Sequence, residues 1–352
     1  MPFHKCNCAY IPPHVLDHLA RSSDNPELRQ RARVTVQQAK TSRARRAAKS
    51  VSMQAFLAAA AAPPPGTAGR EVYNCQHQWA LRVAPIARGE GDPATSDADV
   101  DTMYNYAGIT RDYYKNQLGR NSIDNLAMNL ILNVHVGVNF MNAFWDGDEM
   151  AFGDGDGVIF TSFAQSLDVV AHELTHGVTQ FTADLDYYSQ SGALNESFSD
   201  VFGSVITQHK LGQNAGTADW LIGNEIMGPT LFGEALRSMK APGTAYNNAL
   251  MGQDPQPDHM NNYYTGPADN RGVHINSGIP NKAFYLVAIG IGTPKAAQLW
   301  YHALQNLWPT ANFNDAVAVI TNSARILTKN NVTPQGTTQT VRRAFREVGL
   351  PV

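Results

Sequence analysis

Cysteine is scarce in this chain: Cys6, Cys8 and Cys75 are the three in 352 residues. A disulfide framework therefore cannot be the basis of the fold, and Cys6 with Cys8 is too small a set to close a structural zinc site unaided. Long apolar runs are missing as well. No stretch reaches membrane-spanning length, and the first twenty residues lack an uninterrupted apolar core, so no ordinary secretory signal is expected there. One internal imitation exists. The basic run Arg43–Lys49, followed by the Ala-rich Val51–Ala62, runs into Pro63-Pro64-Pro65-Gly66 and reads as a short helix and linker. Net charge is only −3, which gives no footprint for nucleic-acid binding. There are no internal repeats.

What the chain contains is ordinary in bulk. Apolar residues make up 43% and charged residues 16%, which suits a folded globular protein and argues against wholesale disorder. The length suits two packed domains plus a further segment, because single cores stop growing well before it. Charge is unevenly placed: residues 1–50 carry ten Lys/Arg against three Asp/Glu, a net of +7, and the remainder nets −10. A basic head of this kind is suited to docking on its own acidic body. The head begins with a Pro-containing extended piece, Ile11–Leu16, and continues as an Arg-rich helical stretch. Residues 51–69 form an exposed linker open to proteolysis.

From about Glu71 the pattern suits strands and turns, with alternation over Asn133–Phe140. Gly153-Asp154-Gly155-Asp156-Gly157 predicts a tight turn between Met150–Phe152 and Val158–Phe160, with Asp154 and Asp156 as turn residues rather than calcium ligands. After Ser166 the period changes to that of helices. They are expected over Leu167–Phe181, Glu196–Leu211, Pro280–Ile291, Lys295–Trp308, Asn314–Lys329 and Thr340–Val348. The expectation is an α/β part over 70–187 and a mainly helical part over 188–352, with a site in the cleft between them.

His172-Glu173-Leu174-Thr175-His176 carries the strongest local chemistry. On a helix, positions four apart share one face, so both imidazoles can reach a single cation. Glu173, beside the first histidine, is placed to take a proton from a metal-activated water. The alternative is an accidental match of two surface or core histidines. A following helix with Asn195-Glu196-Ser197-Phe198-Ser199-Asp200 could bring Glu196 to the same metal, and Asp200 to the second nitrogen of a ligating histidine. Here the alternative is an exposed acidic face. Three protein ligands leave one position to water, as in catalytic rather than structural zinc.

The string from Asn142 to Asp200 resembles the thermolysin-like neutral metalloproteases: Asn142-Ala143-Phe144-Trp145, the Gly-Asp-Gly-Asp-Gly turn, the histidine helix and the Asn-Glu-x-x-x-Asp helix. Asp269-Asn270-Arg271-Gly272-Val273-His274-Ile275-Asn276-Ser277-Gly278-Ile279 resembles the family's second catalytic segment, and the likeness covers about residues 70–352. It implies an α+β, two-domain zinc endopeptidase acting on proteins and peptides. His172, His176 and Glu196 would hold Zn2+, with Asp200 bonded to His172 and Glu173 as general base. His274 and Tyr187 would stabilise the developing oxyanion, and Asp269 would orient His274. Asn142 and Ala143 would bind substrate backbone as an added strand, and Arg237 would grip a substrate carbonyl. Phe160, Phe163, Val169 and Leu236 would line a pocket that selects Leu, Phe, Ile or Val after the cut bond.

Two regions depart from the common pattern. Asp168 and Asp219 match calcium-binding positions, but Thr207, Leu221 and Asn224 replace their companions, leaving at most one weak calcium site. Ile11-Pro12-Pro13-x-x-Leu16 resembles the short propeptide of the protealysin-like subgroup, which implies that the head inhibits in cis until the exposed basic stretch is cut, with the cut expected between Lys40 and Ser50. A thiolate of Cys6 or Cys8 on the zinc is a sharper version of that inhibition. A zinc aminopeptidase would need acidic residues to recognise a substrate amino terminus, and no segment suggests them. An inactive binding protein would be expected to lack Glu173, His274 or a ligand. The reading also expects a monomer with no nucleic-acid or membrane partner. It stays in the cytoplasm at first or leaves by a non-classical route, with extracellular action implied by the family.

Overall fold

The computed structural model describes residues 8–57, 66, 68–83 and 85–352, the side chains of residue 8 and of residues 43–57 apart. The expected head helix begins earlier than the sequence suggests. Cys8–Ala9 is a short strand, β1, and helix α1 spans Pro13–Ser22. The expected extended piece Ile11–Leu16 is therefore extended only to Pro12, whose φ and ψ are −59° and 142°. Pro13 sits in the first helical turn, where its missing N–H leaves no bond unmade. Val15, Leu16, Leu19 and Ala20 bury the inner face of α1. Helix α2 then runs without a break over Pro26–Leu57, so the separate helix expected over Val51–Ala62 is, as far as it is described, the tail of α2.

The first half after the head is built on a six-stranded sheet. Its strands after β1 are β2 Arg70–Asn74, β3 Arg88–Gly89, β4 Leu130–Val134, β5 Ala143–Trp145 and β6 Met150–Phe152, in spatial order β1-β5-β6-β4-β2-β3. β2, β4 and β6 are parallel, whereas β1 pairs antiparallel with β5 in the register Cys8↔Trp145 and Ala9↔Phe144. The expected alternation over Asn133–Phe140 gives only the end of β4, because the chain turns at His135, whose φ is 54°. In the glycine-aspartate turn, Asp156 Oδ1 accepts from the N–H groups of Val158, Ile159 and Phe160, as turn chemistry requires. Asp154 instead turns its carboxylate to His135 and His77.

Helix α3, Ala98–Leu118, lies in the region expected to hold strands and turns. Its start is well marked: Asp97 accepts from the N–H groups of Asp99 and Val100, and Gly119 closes the other end at φ 69°. Buried Val100, Met103, Tyr104, Ala107, Arg111 and Tyr114 form its inner stripe. Four tyrosines and two threonines, residues better suited to strands, disguise that period.

The second half follows the helical period closely. α4 spans Leu167–Gln180 and α5 Ser189–Leu211. After four short strands, β7 Leu221–Ile222, β8 Arg237–Ser238, β9 Asn247–Asn248 and β10 Gly252–Gln253, come α6 Ala268–Asn276, which lies outside the expected helices, α7 Gly278–Ile291, α8 Thr293–Leu304, α9 Phe313–Lys329 and α10 Thr337–Glu347. α5 starts seven residues before Glu196, because the turn-forming Ser191 and Gly192 bond back to the Tyr188 carbonyl inside its first turn. α8 stops at Leu304 rather than Trp308. α4 packs against β5 at Gly177, where a Cβ would lie 2.6 Å from Ile123 Cγ2 and 3.3 Å from the Trp145 ring. Tyr10, Ile11, Val15, Leu16 and Leu19 of the head belong to the same buried cluster as Phe163, Val169 and Leu236.

Arg70 of β2 clasps Glu90 through Nε and Nη2, Arg111 adds an Nη1 contact at 3.2 Å, and the Arg70 guanidinium stacks 3.6 Å over Tyr104. Hydrogen bonding from Arg70 holds the Glu90 carboxyl below its ordinary value. A depressed carboxyl stabilises the fold above its unfolded pKa, near 4.5, and that stabilisation is lost as pH falls through the lower folded value. Glu90 is partly exposed, so solvent screening keeps the effect to about 1 kcal/mol or less. Thermal unfolding should show Glu90→Gln below wild type at pH 7, with the gap closing below about pH 4; a gap independent of pH would contradict the pairing.

Candidate active site

α4 points His172 and His176 to one side, one turn apart, and α5 packs beside it. The two Nε2 atoms face each other at 3.0 Å. Glu196 carboxylate oxygens lie 3.6 Å from His172 Nε2 and 3.5 Å from His176 Nε2. These three side chains can offer one ligand atom each to a single metal ion, and all are about 1% exposed. Metal chemistry fits the group on physical grounds. Burial pulls the His176 pKa down to about 3, so its imidazole is neutral with a lone pair available. Glu196 Oε2 is buried with no hydrogen-bond partner, although His274, His176 and His172 together outweigh burial and keep the carboxyl ionised. A buried anion oxygen facing two imidazole lone pairs is stable only with a proton or cation between them.

The outer nitrogens are pinned. His172 Nδ1 is 2.9 Å from Asp200 Oδ1, and His176 Nδ1 is 2.8 Å from Asn195 Oδ1 and 3.0 Å from Ser199 Oγ. Asp200 also receives parallel 2.8 Å bonds from Arg237 Nε and Nη2, and a third from Asn281. Burial opposes its charge, but Arg237 and His172 hold its pKa far below the ordinary value. Glu173 is fully buried; burial first and Glu196 second raise its pKa, with the Trp145 N–H and Arg237 partly offsetting them.

The opposite wall carries His274 and Tyr187. Tyr187 donates to Glu196 Oε1 and lies 3.2 Å from His274 Nε2. Asp269 accepts from His274 Nδ1 at 2.6 Å and from the His274 backbone N–H at 2.8 Å. Burial would lower the His274 pKa, but Asp269 and Glu196 outweigh it and push it up to about 9. Asp269 reaches this place because Asp269, Asn270, Arg271 and Gly272 take successive left-handed conformations, with φ of 54°, 49°, 65° and 80°. Three of these are not glycine, a local strain of the kind that collects at functional sites.

The chain's own head fills the cleft. The Tyr10 N–H donates to the Ala143 carbonyl at 2.9 Å, and the Ile11 N–H to Asn142 Oδ1 at 2.9 Å. His274 Nε2 donates to the Ala9 carbonyl at 3.0 Å, and Arg237 Nη1 reaches the Tyr10 carbonyl at 3.4 Å. The Tyr10 ring stands edge-on to His172 at 5.0 Å and to Phe163 at 6.4 Å. Phe160, Phe163, Val169 and Leu236 are all buried, in the same core cluster as Tyr10. Pro12 and Pro13 lead into α1 and Leu16 packs in the core. Cys6 and the Cys8 side chain lie outside the described residues. The sequence pattern does not single out Tyr10, Asn281, Asn195 or Ser199. For Tyr10 a signal existed, as an aromatic residue just ahead of the Pro pair is a natural plug for an apolar pocket. Asn281 carries none.

A histidine pair on one helix, a glutamate from the next, and a sheet edge beside them in a two-domain frame define a zinc metalloendopeptidase. The sequence matches the thermolysin metallopeptidase catalytic domain over residues 22–180 and the alpha-helical domain of the same family over 183–350. The chain belongs to the thermolysin metallopeptidase family. It is similar to the extracellular metalloprotease of Pectobacterium carotovorum subsp. carotovorum, 51% identical over 244 residues, 68% of this chain and 70% of that one. Protease PrtS of a Photorhabdus species is 48% identical over 243 residues, 68% of this chain and 65% of that one. The thermolysin of Alicyclobacillus acidocaldarius is 42% identical over 267 residues, 72% of this chain and 45% of that one. Among solved structures, the precursor of protealysin from Serratia proteamaculans superposes with a TM-score of 0.85 at 38% identity, covering 98% of this chain and 100% of that one.

Asp200→Asn leaves the Arg237 guanidinium buried without its charged partner, which costs about 3–5 kcal/mol when a buried pair is broken. Urea unfolding should show a loss of that size, and a change below about 1 kcal/mol would mean that Asp200 does not neutralise Arg237.

Proposed function

We propose that this zinc metalloendopeptidase is made as a latent precursor whose inhibitory head, residues 1–50, lays its Ala9–Ile11 piece in the cleft as a peptide would lie. One observation carries the reading: Ala9, Tyr10 and Ile11 are laid antiparallel along the β5 edge, with the Ala9 carbonyl on His274 and the Tyr10 carbonyl on Arg237. Catalytic residues 70–187 and 188–352 form the two walls.

His172, His176 and Glu196 would hold the zinc. When bound, the ion supplies Lewis-acid chemistry, lowering the pKa of a water and polarising a carbonyl. The chain's own residues do the rest. Asn142 and Ala143 hold the substrate backbone as an added strand, which aligns the scissile bond before any chemistry. Glu173, its pKa raised by burial and by Glu196, accepts a proton from the attacking water and hands it to the leaving amine. His274, kept protonated by Asp269, and Tyr187 donate to the carbonyl oxygen as it gains negative charge. Arg237 fixes a carbonyl beside the pocket, and Phe160, Phe163, Val169 and Leu236 select a large apolar residue after the cut.

Calcium has little place in this reading. Burial raises both the Asp168 and Glu225 carboxyls, and Asp168 already accepts from Ser166 and from the Gly223 N–H. At most one weak ion near Asp168 and Asp219 is proposed. Extracellular action is proposed from the relatives named above, and the enzyme acts as a monomer.

The test is digestion of an unfolded protein by wild type and Glu173→Gln, with zinc content and new termini read by mass spectrometry. Wild type should shed its head and cut before Leu, Phe, Ile or Val, while Glu173→Gln keeps zinc but stays intact and falls in rate by at least about a thousandfold. If both proteins cut equally, Glu173 is not the base. Latency has its own test. Tyr10→Ala empties a buried aromatic site worth about 3 kcal/mol, so the separated head should inhibit the processed enzyme roughly a hundredfold less well. Undiminished inhibition would shift the blocking role to Cys6, Cys8 or the Pro pair.

A further inference from the structure

Outside the α4–α5 site, His77, His135 and Asp154 bring three ligand atoms within 4.8 Å of one another. His135 Nδ1 lies 2.9 Å from both Asp154 carboxylate oxygens, and His77 Nδ1 lies 3.3 Å from Oδ2. Three separate pieces of chain supply these groups: the turn after β2, the residue after β4, and the glycine-aspartate turn. Backbone bonds from Cys75 N–H to the Val134 carbonyl and from His77 N–H to the His135 carbonyl extend the β2–β4 pairing beyond the strands. They set the two imidazoles side by side, with ring centroids 5.6 Å apart.

Donor spacings of 2.9 and 3.3 Å are close to the edge of a zinc tetrahedron, roughly 3.3 Å for bonds near 2.0 Å. The far nitrogen of His135 is already oriented as a ligating imidazole requires. Its Nε2 lies 3.1 Å from Asp97 Oδ2 and 3.2 Å from Oδ1, the carboxylate–histidine arrangement that fixes ring direction around a metal. Asp97 is itself held by Asn74 Nδ2 at 2.8 Å and by capping α3. Asp99 adds a carboxylate 3.9 Å from His135 Nδ1. Asp154 is not used to close its turn, since Asp156 does that.

We propose that His77 Nδ1, His135 Nδ1 and the Asp154 carboxylate form a second, partly exposed site for a zinc-class divalent cation, completed by water. Two imidazoles and one carboxylate suit zinc and its transition-metal neighbours better than calcium or magnesium. Occupancy would brace the peptide-binding edge from behind. The Gly153 N–H bonds the Asn142 carbonyl and the Phe163 N–H bonds the Gly153 carbonyl, so a cation on Asp154 stiffens the segment between strand edge and pocket. The competing arrangement is an ion triad, in which Asp154 and Asp97 hold His135 protonated.

Equilibrium dialysis of the full chain against zinc chloride, with metal counted by mass spectrometry, separates the two. The variants are His77→Asn, chosen because His77 is mostly exposed and asparagine tolerates its φ of 58°, and His176→Ala. Wild type is expected to hold two zinc ions, and each variant one. Added zinc should raise the melting temperature of His176→Ala but not of the double variant. A wild type that holds one ion, kept by His77→Asn and lost by His176→Ala, overturns the proposal in favour of the ion triad. Loss of an ion in His77→Asn with none lost in His176→Ala would leave this site standing and sink the catalytic ligand assignment instead.

Discussion

The Asp200 carboxylate is the interaction on which the rest of the site depends. It sits on α5, yet it bonds His172 on α4, Arg237 on β8 and Asn281 on α7. Each partner alone would be a poor occupant of a dry interior, since burying a charge without a counter-charge is expensive. Together they satisfy one another and fix three directions at once. The His172 ring is aimed so that Nε2 meets His176 and Glu196. The Arg237 fork is held with one nitrogen left over for a peptide carbonyl. The α4–α5 crossing is locked by a contact that tolerates little displacement.

The sheet edge is the second constraint. β5 lies beside α4 with only Gly177 between the helix and the Trp145 ring, so a peptide on that edge necessarily passes over the metal-binding side chains. An exposed strand edge is an open invitation to further pairing, and β1 answers it from within the same chain. The head therefore covers the edge, the apolar pocket and the His274 donor with one short segment. Its net of +7 against −10 for the remainder favours docking of the head on the body at long range.

Much of this was legible in the residues. The helices of the second half other than α6 follow from their period, and the histidine pair, Glu173, Glu196 and Asp200 stand on local spacings that survive any packing. The meeting of Tyr187 and His274 on the far wall was suggested only by the family resemblance, because nothing in their local sequence marks them out. α3 was hidden by strand-favouring residues that its buried stripe overrides. The break after Pro12 was misplaced because proline is equally at home in an extended piece and in a first helical turn.

The amino-acid sequence by itself determined which groups exist and which neighbours share a helical face, because a period of 3.6 residues is a property of the backbone alone. Folding determined which distant groups meet. Ala9 on His274, Tyr10 on His172, Arg237 on Asp200, and His77 beside His135 all join residues far apart in the chain. Such contacts depend on strand register and helix crossing, which are set by the packing of the whole core rather than by any local pattern.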